Sequence, residues 1–215
     1  MTTATLPLFP LELVCFPGEI LALHIFEDRY QQLIKDCEQQ KITFGIPAYI
    51  NAEMEYGTEV HLEKIVKRYD SGASDVLCRG SRIFKLEKFY SILDSKLYAG
   101  GDVIFQNSFD YGVERSVQRF MALLLEFYEL LELKIPAHDP DKLDSYTFTH
   151  KLGLTLEQEY EFLKMASESD RYQYLISHLN RVIPTVKAVN RTKELVRLNG
   201  HFKNFNPLDF KNFKL

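Results

Sequence analysis

Leu6-Pro-Leu-Phe-Pro-Leu-Glu-Leu-Val-Cys-Phe-Pro-Gly18, followed by His24-Ile-Phe-Glu-Asp-Arg-Tyr30, is the stretch that decides how this chain is read. Its apolar residues are interleaved with prolines, so it is strand-like and cannot be a helix. Pro7, Pro10 and Pro17 each remove a backbone donor, which places the first strand at a sheet edge or interrupts it with bulges. Pro17-Gly18 reads as a turn and Ile20 to Phe26 as a second strand. Phe26, Tyr30, Leu33, Ile34 and Cys37 then share one face at helical spacing. They predict a helix over 27–40 with Glu27 and Asp28 in its first turn, where the helix dipole favours negative charge.

Outward from this stretch, short β-prone runs continue to about Asn107. They are Phe44 to Ile50, Glu59 to Tyr69, Ser74 to Cys78, Ile83 to Leu93 and Leu97 to Phe105. Gly57, Asp70-Ser-Gly72, Arg79-Gly80 and Gly100-Gly101 punctuate them. Many short strands with such turns imply an antiparallel sheet closing on itself, a small β-barrel with one inserted helix. After Asn107 the period becomes helical. Val113, Val117, Phe120, Met121, Leu124, Phe127, Tyr128 and Leu131 mark a long amphipathic helix ending before Pro136. A second helix is expected over 140–152, stopped by Gly153. Thr155-Leu-Glu-Gln158 is a capping box that opens a third. Ser169 or Asp170 caps a fourth, which Pro184 kinks or breaks before helical sequence resumes to about Asn199. The fold class is α+β, with a barrel subdomain over 1–107 and an α-helical bundle over 108–215.

The 215 residues are 46% hydrophobic and 26% charged, ordinary values for a soluble globular protein. No apolar run reaches the roughly 18–20 residues that cross a bilayer, and the first residues lack a basic stretch followed by an apolar core. A cytoplasmic protein without a membrane span is therefore expected. Cys15, Cys37 and Cys78 are odd in number and widely spaced, as buried thiols in a reducing compartment would be. From Arg181 to Leu215, eight Lys or Arg stand against two acids, so the end of the chain is +6 and the first 180 residues are −10. Such a basic end either docks on the acidic body or contacts nucleic acid.

The opening motifs resemble the amino-terminal domain of Lon proteases, also found in free-standing Lon-domain proteins and in cereblon. Pro7, Phe9 and Pro10 with Phe16, Pro17 and Gly18 are similar to that family's first strand and turn. His24-Ile-Phe-Glu-Asp-Arg-Tyr30, with Phe26, Glu27, Arg29 and Tyr30, resembles its strand-to-helix junction, where a proline commonly replaces Asp28. Phe44-Gly-Ile46 resembles the next core strand, and Tyr56-Gly-Thr-Glu-Val60, with Gly57, the strand after it. Cys78-Arg-Gly-Ser-Arg-Ile-Phe84, with Arg79, Gly80 and Phe84, resembles an Arg-Gly-x-Arg-Phe-type hairpin. The segment 152–182 matches the family's helical part more loosely. The resemblance implies a PUA-like (pseudouridine-synthase-and-archaeosine-transglycosylase-like) barrel packed on a helical bundle.

Read for themselves, these motifs are architectural. Phe9, Phe16, Phe26, Tyr30 and Phe84 are expected in the core, and Gly18, Gly57 and Gly80 at turns or close backbone approaches. Glu27 paired with Arg29, Arg79 or Arg82 would tie the first helix to a hairpin. No phosphate-cradling Gly-x-x-x-x-Gly-Lys-Ser/Thr loop is present, and barrel and bundle occupy the whole chain, leaving no room for a Ser-Lys protease domain. Paired Cys-x-x-Cys zinc ligands are missing too, and the six histidines have no metal-ligand spacing. His138-Asp-Pro-Asp141 reads as a helix start and Ser71-Gly-Ala-Ser74 as a flexible turn. No catalytic residue, cofactor or metal is therefore expected.

The resemblance implies a recognition module for unfolded or extended polypeptide. A groove between barrel and bundle is expected to receive it, with Tyr49, Tyr56 and Phe109 as candidate contacts. Two other readings compete. One is RNA binding through the basic end, whose Phe202, Phe205, Phe210 and Phe213 would stack on bases. The other is an adaptor that binds a partner ATPase or another copy of itself.

Overall fold

The computed structural model describes residues 2–107, 113–135 and 144–202. In order, the chain forms β1 (Thr3–Leu8), β2 (Ile20–Ile25), α1 (Asp28–Gln40), β3 (Phe44–Pro47), β4 (Tyr56–Arg68), β5 (Ser74–Tyr90) and β6 (Ala99–Phe105). Four further elements follow: α2 (Glu114–Leu130), a short 3-10 turn (Thr149–Lys151), α3 (Leu156–Leu163) and α4 (Glu168–Phe202). Two compact units result, one of residues 1–112 with 138–171, the other of 113–137 with 172–215. They are drawn differently from the expected halves 1–107 and 108–215, because the segment from Asp144 to Arg171 packs with the strands.

The first unit is mixed α and β. Its sheet runs β2-β5-β4-β3-β1-β6, and β5 pairs again with β6. Five strands therefore form a ring of pairings, with β2 outside it on the far half of β5. β5 is long enough to do both. Its residues 74–79 face β2, and its residues 84–90 face β6.

β1 is not at an edge, contrary to the expectation from its prolines. It lies between β6, paired along its whole length, and β3, paired only at Leu8↔Gly45. The Phe9 amide donates to the Gly45 carbonyl at 2.8 Å. Position 7, two residues back, turns its nitrogen to the same side. The donor missing at Pro7 thus falls where β3 has not yet begun to pair, and the sheet loses nothing.

The glycines expected to break strands lie inside them. Gly80 sits within β5, so 78–84 is a continuous strand and not a hairpin; Gly57 is in β4, and Gly100 and Gly101 are in β6. Close approach explains their presence. A Cβ on Gly80 would stand 2.2 Å from the Phe16 carbonyl oxygen, and one on Gly57 2.4 Å from that of Ile46. Around them, Phe9, Tyr30, Leu33, Ile34, Phe44, Ile46, Val60, Val76 and Tyr98 form the main core, with Phe84, Leu8 and Phe105 in a second cluster. Phe9 stacks on Tyr30 at 3.7 Å between ring centroids. The three cysteines are free and buried. Burial pushes the Cys37 and Cys78 thiols up to about 12 and Cys15 higher still.

Phe26 is 64% exposed, not core. Its neighbours explain the error: burial alternates through Leu21, Leu23 and Ile25, which turn inward, while Ile20, Ala22 and His24 turn out. Phe26 continues the outward set, so the strand period, not the helix period, fixes its side. Glu27 pairs at 2.7 Å with Arg29 on the same helix start, while Arg79 pairs with Glu63 and Arg82 with Glu59. The expected tie from helix to hairpin is absent from these pairs.

The segment after Asp144 is pinned to the strands by polar contacts. Tyr160 Oη accepts from the Glu55 and Tyr56 amides at 3.2 and 3.0 Å. His150 lies between Glu159 (2.8 Å) and Glu19 (3.1 Å), over the Phe16 ring. Burial opposes its charge, but the hydrogen bonds from these two carboxylates outweigh that and lift His150 to about 9. In place of the helix expected over 140–152, the described part holds only the 3-10 turn, and residues 136–143 lie outside the description. The Thr155–Gln158 capping box forms as expected. Ser167, rather than Ser169 or Asp170, caps α4: its Oγ accepts from the Asp170 amide. Within this cap, Glu168 and Arg171 form a buried pair that also engages Ser145.

In the second unit, α2 and α4 run in the same direction. Gln173 bonds Ser116, Lys187 pairs with Glu126 at 2.5 Å, and Asn190 bonds the Leu130 carbonyl at 2.6 Å. Phe120 and Tyr172 are in ring contact at 5.5 Å. α4 remains a single helix through Pro184.

Candidate functional site: the free edge of the second strand

β2 reads Ile-Leu-Ala-Leu-His-Ile, without Lys, Arg, Asp, Glu or Pro. Among the described residues it pairs with β5 alone, so one of its hydrogen-bonding sides is open. Which groups face that side follows from its start. The Gly80 amide donates to the Glu19 carbonyl at 2.9 Å, and the Gly18 amide donates to the Gly80 carbonyl at 3.0 Å. Two residues oppose one there, a bulge made possible by Gly18 at φ +79°. With Glu19 opposite Gly80, the antiparallel ladder alternates so that Leu21, Leu23 and Ile25 turn N–H and C=O to β5. Ile20, Ala22 and His24 turn theirs outward.

Natural sheets blunt such an edge with charge, proline or bulges. The far half of β4, beyond its pairing with β3, illustrates this. It carries His61, Glu63, Lys64, Lys67 and Arg68, and its register against β5 shifts at two places beyond Val60. β2 has none of these devices along its six residues.

The outward face beside the edge is aromatic. His24 stacks with Phe26 at 6.0 Å and meets Tyr69 edge-on at 5.7 Å. Asp75 organises the cluster: its two oxygens accept from His24 Nδ1 at 2.6 Å and from Tyr69 Oη at 2.7 Å. The bonds from His24 and Tyr69 hold the Asp75 carboxyl below the usual carboxylate range. A carboxylate only accepts, so Nδ1 is the protonated, donating nitrogen of His24. Lys67 lies over the Tyr69 ring at 4.4 Å, and Gln31 fixes the junction by donating to the Phe26 carbonyl at 2.8 Å. The arrangement supplies backbone donors and acceptors in a row, flanked by exposed apolar rings. It contains no group poised for covalent chemistry, and among the described residues no cluster of His, Cys, Asp or Glu is arranged to hold a metal ion.

The sequence-predicted contacts lie elsewhere. Tyr49 is 45% exposed, and Tyr56 is half-buried at the start of β4. The Ala48 amide donates to the Tyr56 carbonyl, so the two tyrosines are neighbours on the β3–β4 connection. Phe109 lies outside the described residues, as do Phe205, Phe210 and Phe213 of the basic end. The β2 edge was missed in the sequence. The uncharged run from Ile20 to Ile25 and the strand phase of Phe26 mark a strand, but not its place at a rim.

A family profile for the ATP-dependent protease La (Lon) substrate-binding domain matches residues 5–181. Among solved structures, the Lon N-terminal domain protein from Xanthomonas campestris superposes with a TM-score of 0.59 at 22% identity, covering 81% of this chain and 98% of that one. The N-terminal domain of the Mycobacterium avium complex Lon protease gives a TM-score of 0.64 at 16% identity, covering 82% and 98%. At these identities both show a shared fold. A comparison with curated proteins found no match. No helix among the described residues is long and apolar enough to cross a membrane.

Proposed function

Because the chain belongs to the ATP-dependent protease La (Lon) substrate-binding domain family, we propose that it recognises unfolded or extended polypeptide by strand addition along β2. The family is a non-catalytic, polypeptide-recognising one. The observation that carries the finer reading is the unprotected edge, with the backbone groups of Ile20, Ala22 and His24 turned outward. Main-chain hydrogen bonds read no side chain, which suits segments of varied sequence. Alternate side chains of the added strand would lie over Ile20, His24 and Phe26, favouring apolar or aromatic residues there. Tyr49 and Tyr56 belong to this proposal as a separate, secondary contact. We further read the ring of strands as a PUA-like barrel, and the three free, buried thiols suit a cytoplasmic setting.

The test is fluorescence anisotropy at physiological salt with a permanently unfolded polypeptide and a structured RNA as probes. The informative variant is Ala22→Pro. Proline is tolerated where the lost N–H faces away from the neighbouring strand, so the β5 ladder and the circular dichroism spectrum survive. Saturable polypeptide binding, weakened at least tenfold by A22P, is the expected result. Unchanged affinity in A22P removes the edge from the account. Binding to RNA alone, falling steeply with salt, replaces it with the basic end of the chain.

A further inference from the structure

We propose that the open edge of β2 also pairs with β2 of a second copy of this chain, antiparallel about a two-fold axis through Ala22. Self-association and polypeptide binding then compete for one edge, the competition resting on the strand-addition reading above. The strand is self-complementary in this register. With Ala22 opposite its own copy, Ile20 lies opposite His24 of the second copy, and His24 opposite its Ile20. These three residues are the ones whose N–H and C=O groups are turned outward, so every open group of both strands is paired. Moving the axis to Leu21 sets His24 against Gly18, outside the strand. Moving it to Leu23 sets Ile20 against Phe26, whose carbonyl already accepts from Gln31.

The side chains fit the same axis. Ala22, the smallest residue of β2, stands where the two strands meet themselves. Ile20, 42% exposed, lies beside the second copy's imidazole. Glu19, which flanks β2, falls opposite Ile25, so no like charges face one another along the paired strands. An isologous contact of this kind closes at two copies and hides an edge that would otherwise recruit strands indiscriminately. With one short strand from each copy, it is expected to be weak and reversible, so displacement by polypeptide is feasible.

Disulfide trapping tests both register and competition. Cys15, Cys37 and Cys78 are buried and give little background. Opposed residues at a hydrogen-bonded position have Cα atoms about 5.5 Å apart, within the range a disulfide spans. Under copper-phenanthroline oxidation, Ala22→Cys is expected to form a covalent dimer at least tenfold faster than Ile20→Cys alone. An equimolar mixture of Ile20→Cys and His24→Cys is expected to trap a mixed dimer at a comparable rate. Cross-linking of A22C no faster than that of I20C overturns the self-pairing, whatever the polypeptide assay gives. Excess unfolded polypeptide is expected to slow A22C trapping severalfold. Trapping in the predicted register at a rate the polypeptide does not change overturns the competition, and A22P anisotropy then decides separately whether strand addition stands.

Discussion

Replacing Gly80 with alanine tests the packing that launches β2. The added Cβ would meet the Phe16 carbonyl oxygen at 2.2 Å, its carbonyl carbon at 3.1 Å and Cys15 Sγ at 3.3 Å. The obstacle is backbone, and it is held on both sides. Thr58 Oγ1 donates to the Cys15 carbonyl, and the Phe16 amide donates to Glu19 at 2.9 Å. Clearing the contact needs a shift of nearly 1 Å, which also strains the two bonds that join Gly80 to Gly18 and Glu19. Overpacking costs about 1–3 kcal/mol, and two impaired hydrogen bonds add about 1 kcal/mol each, for about 3–5 kcal/mol in all. In a protein of this size that lowers Tm by roughly 6–20 °C. Gly18→Ala is the control. Gly18 has φ +79° but nothing within 4 Å of an added Cβ, so it incurs only left-handed backbone strain of about 1–2 kcal/mol. Thermal melts followed by far-UV circular dichroism, checked for reversibility, measure both. If Gly80→Ala melts as high as Gly18→Ala, the close approach has been misjudged.

Other outcomes follow from the polar contacts. His150 is held at about 9 in the folded chain against 6.5 as its ordinary value. Its contribution is full below 6.5 and fades as pH rises towards 9, so Tm should fall more steeply across that window in the wild type than in His150→Gln. Glu168→Ala takes the carboxylate from a buried pair and should cost about 3–5 kcal/mol in chemical denaturation, whereas Glu168→Leu with Arg171→Met should cost less than that single change. Glu27→Gln breaks only an exposed pair with Arg29, so its stability should stay within about 1 kcal/mol of the wild type in the same assay.

Local signals in the sequence were reliable where local chemistry decides the structure. The Thr155–Gln158 capping box, α1 and the Pro17-Gly18 turn are each set by residues a few positions apart, and all were legible. Gly80 and Gly57 misled because a glycine admits a neighbouring backbone as readily as it makes a turn, and the neighbours, Phe16 and Ile46, are distant in sequence. Phe26 misled because it stands where strand and helix periods overlap. The edge itself was out of reach for a different reason. That β2 meets β5 alone among the described residues depends on pairings about fifty to sixty residues apart, such as Ile20 with Arg79. A run of six uncharged residues looks the same in the middle of a sheet as at its rim.

Residue-resolved amide hydrogen exchange, with and without saturating unfolded polypeptide, tests the central claim most directly. The amides of Ile20, Ala22 and His24 face the open side and should gain protection on binding, while those of Leu21, Leu23 and Ile25, already donating to β5, should change little. Protection appearing around Tyr49 and Tyr56, with Ile20, Ala22 and His24 exchanging as before, would contradict strand addition at β2.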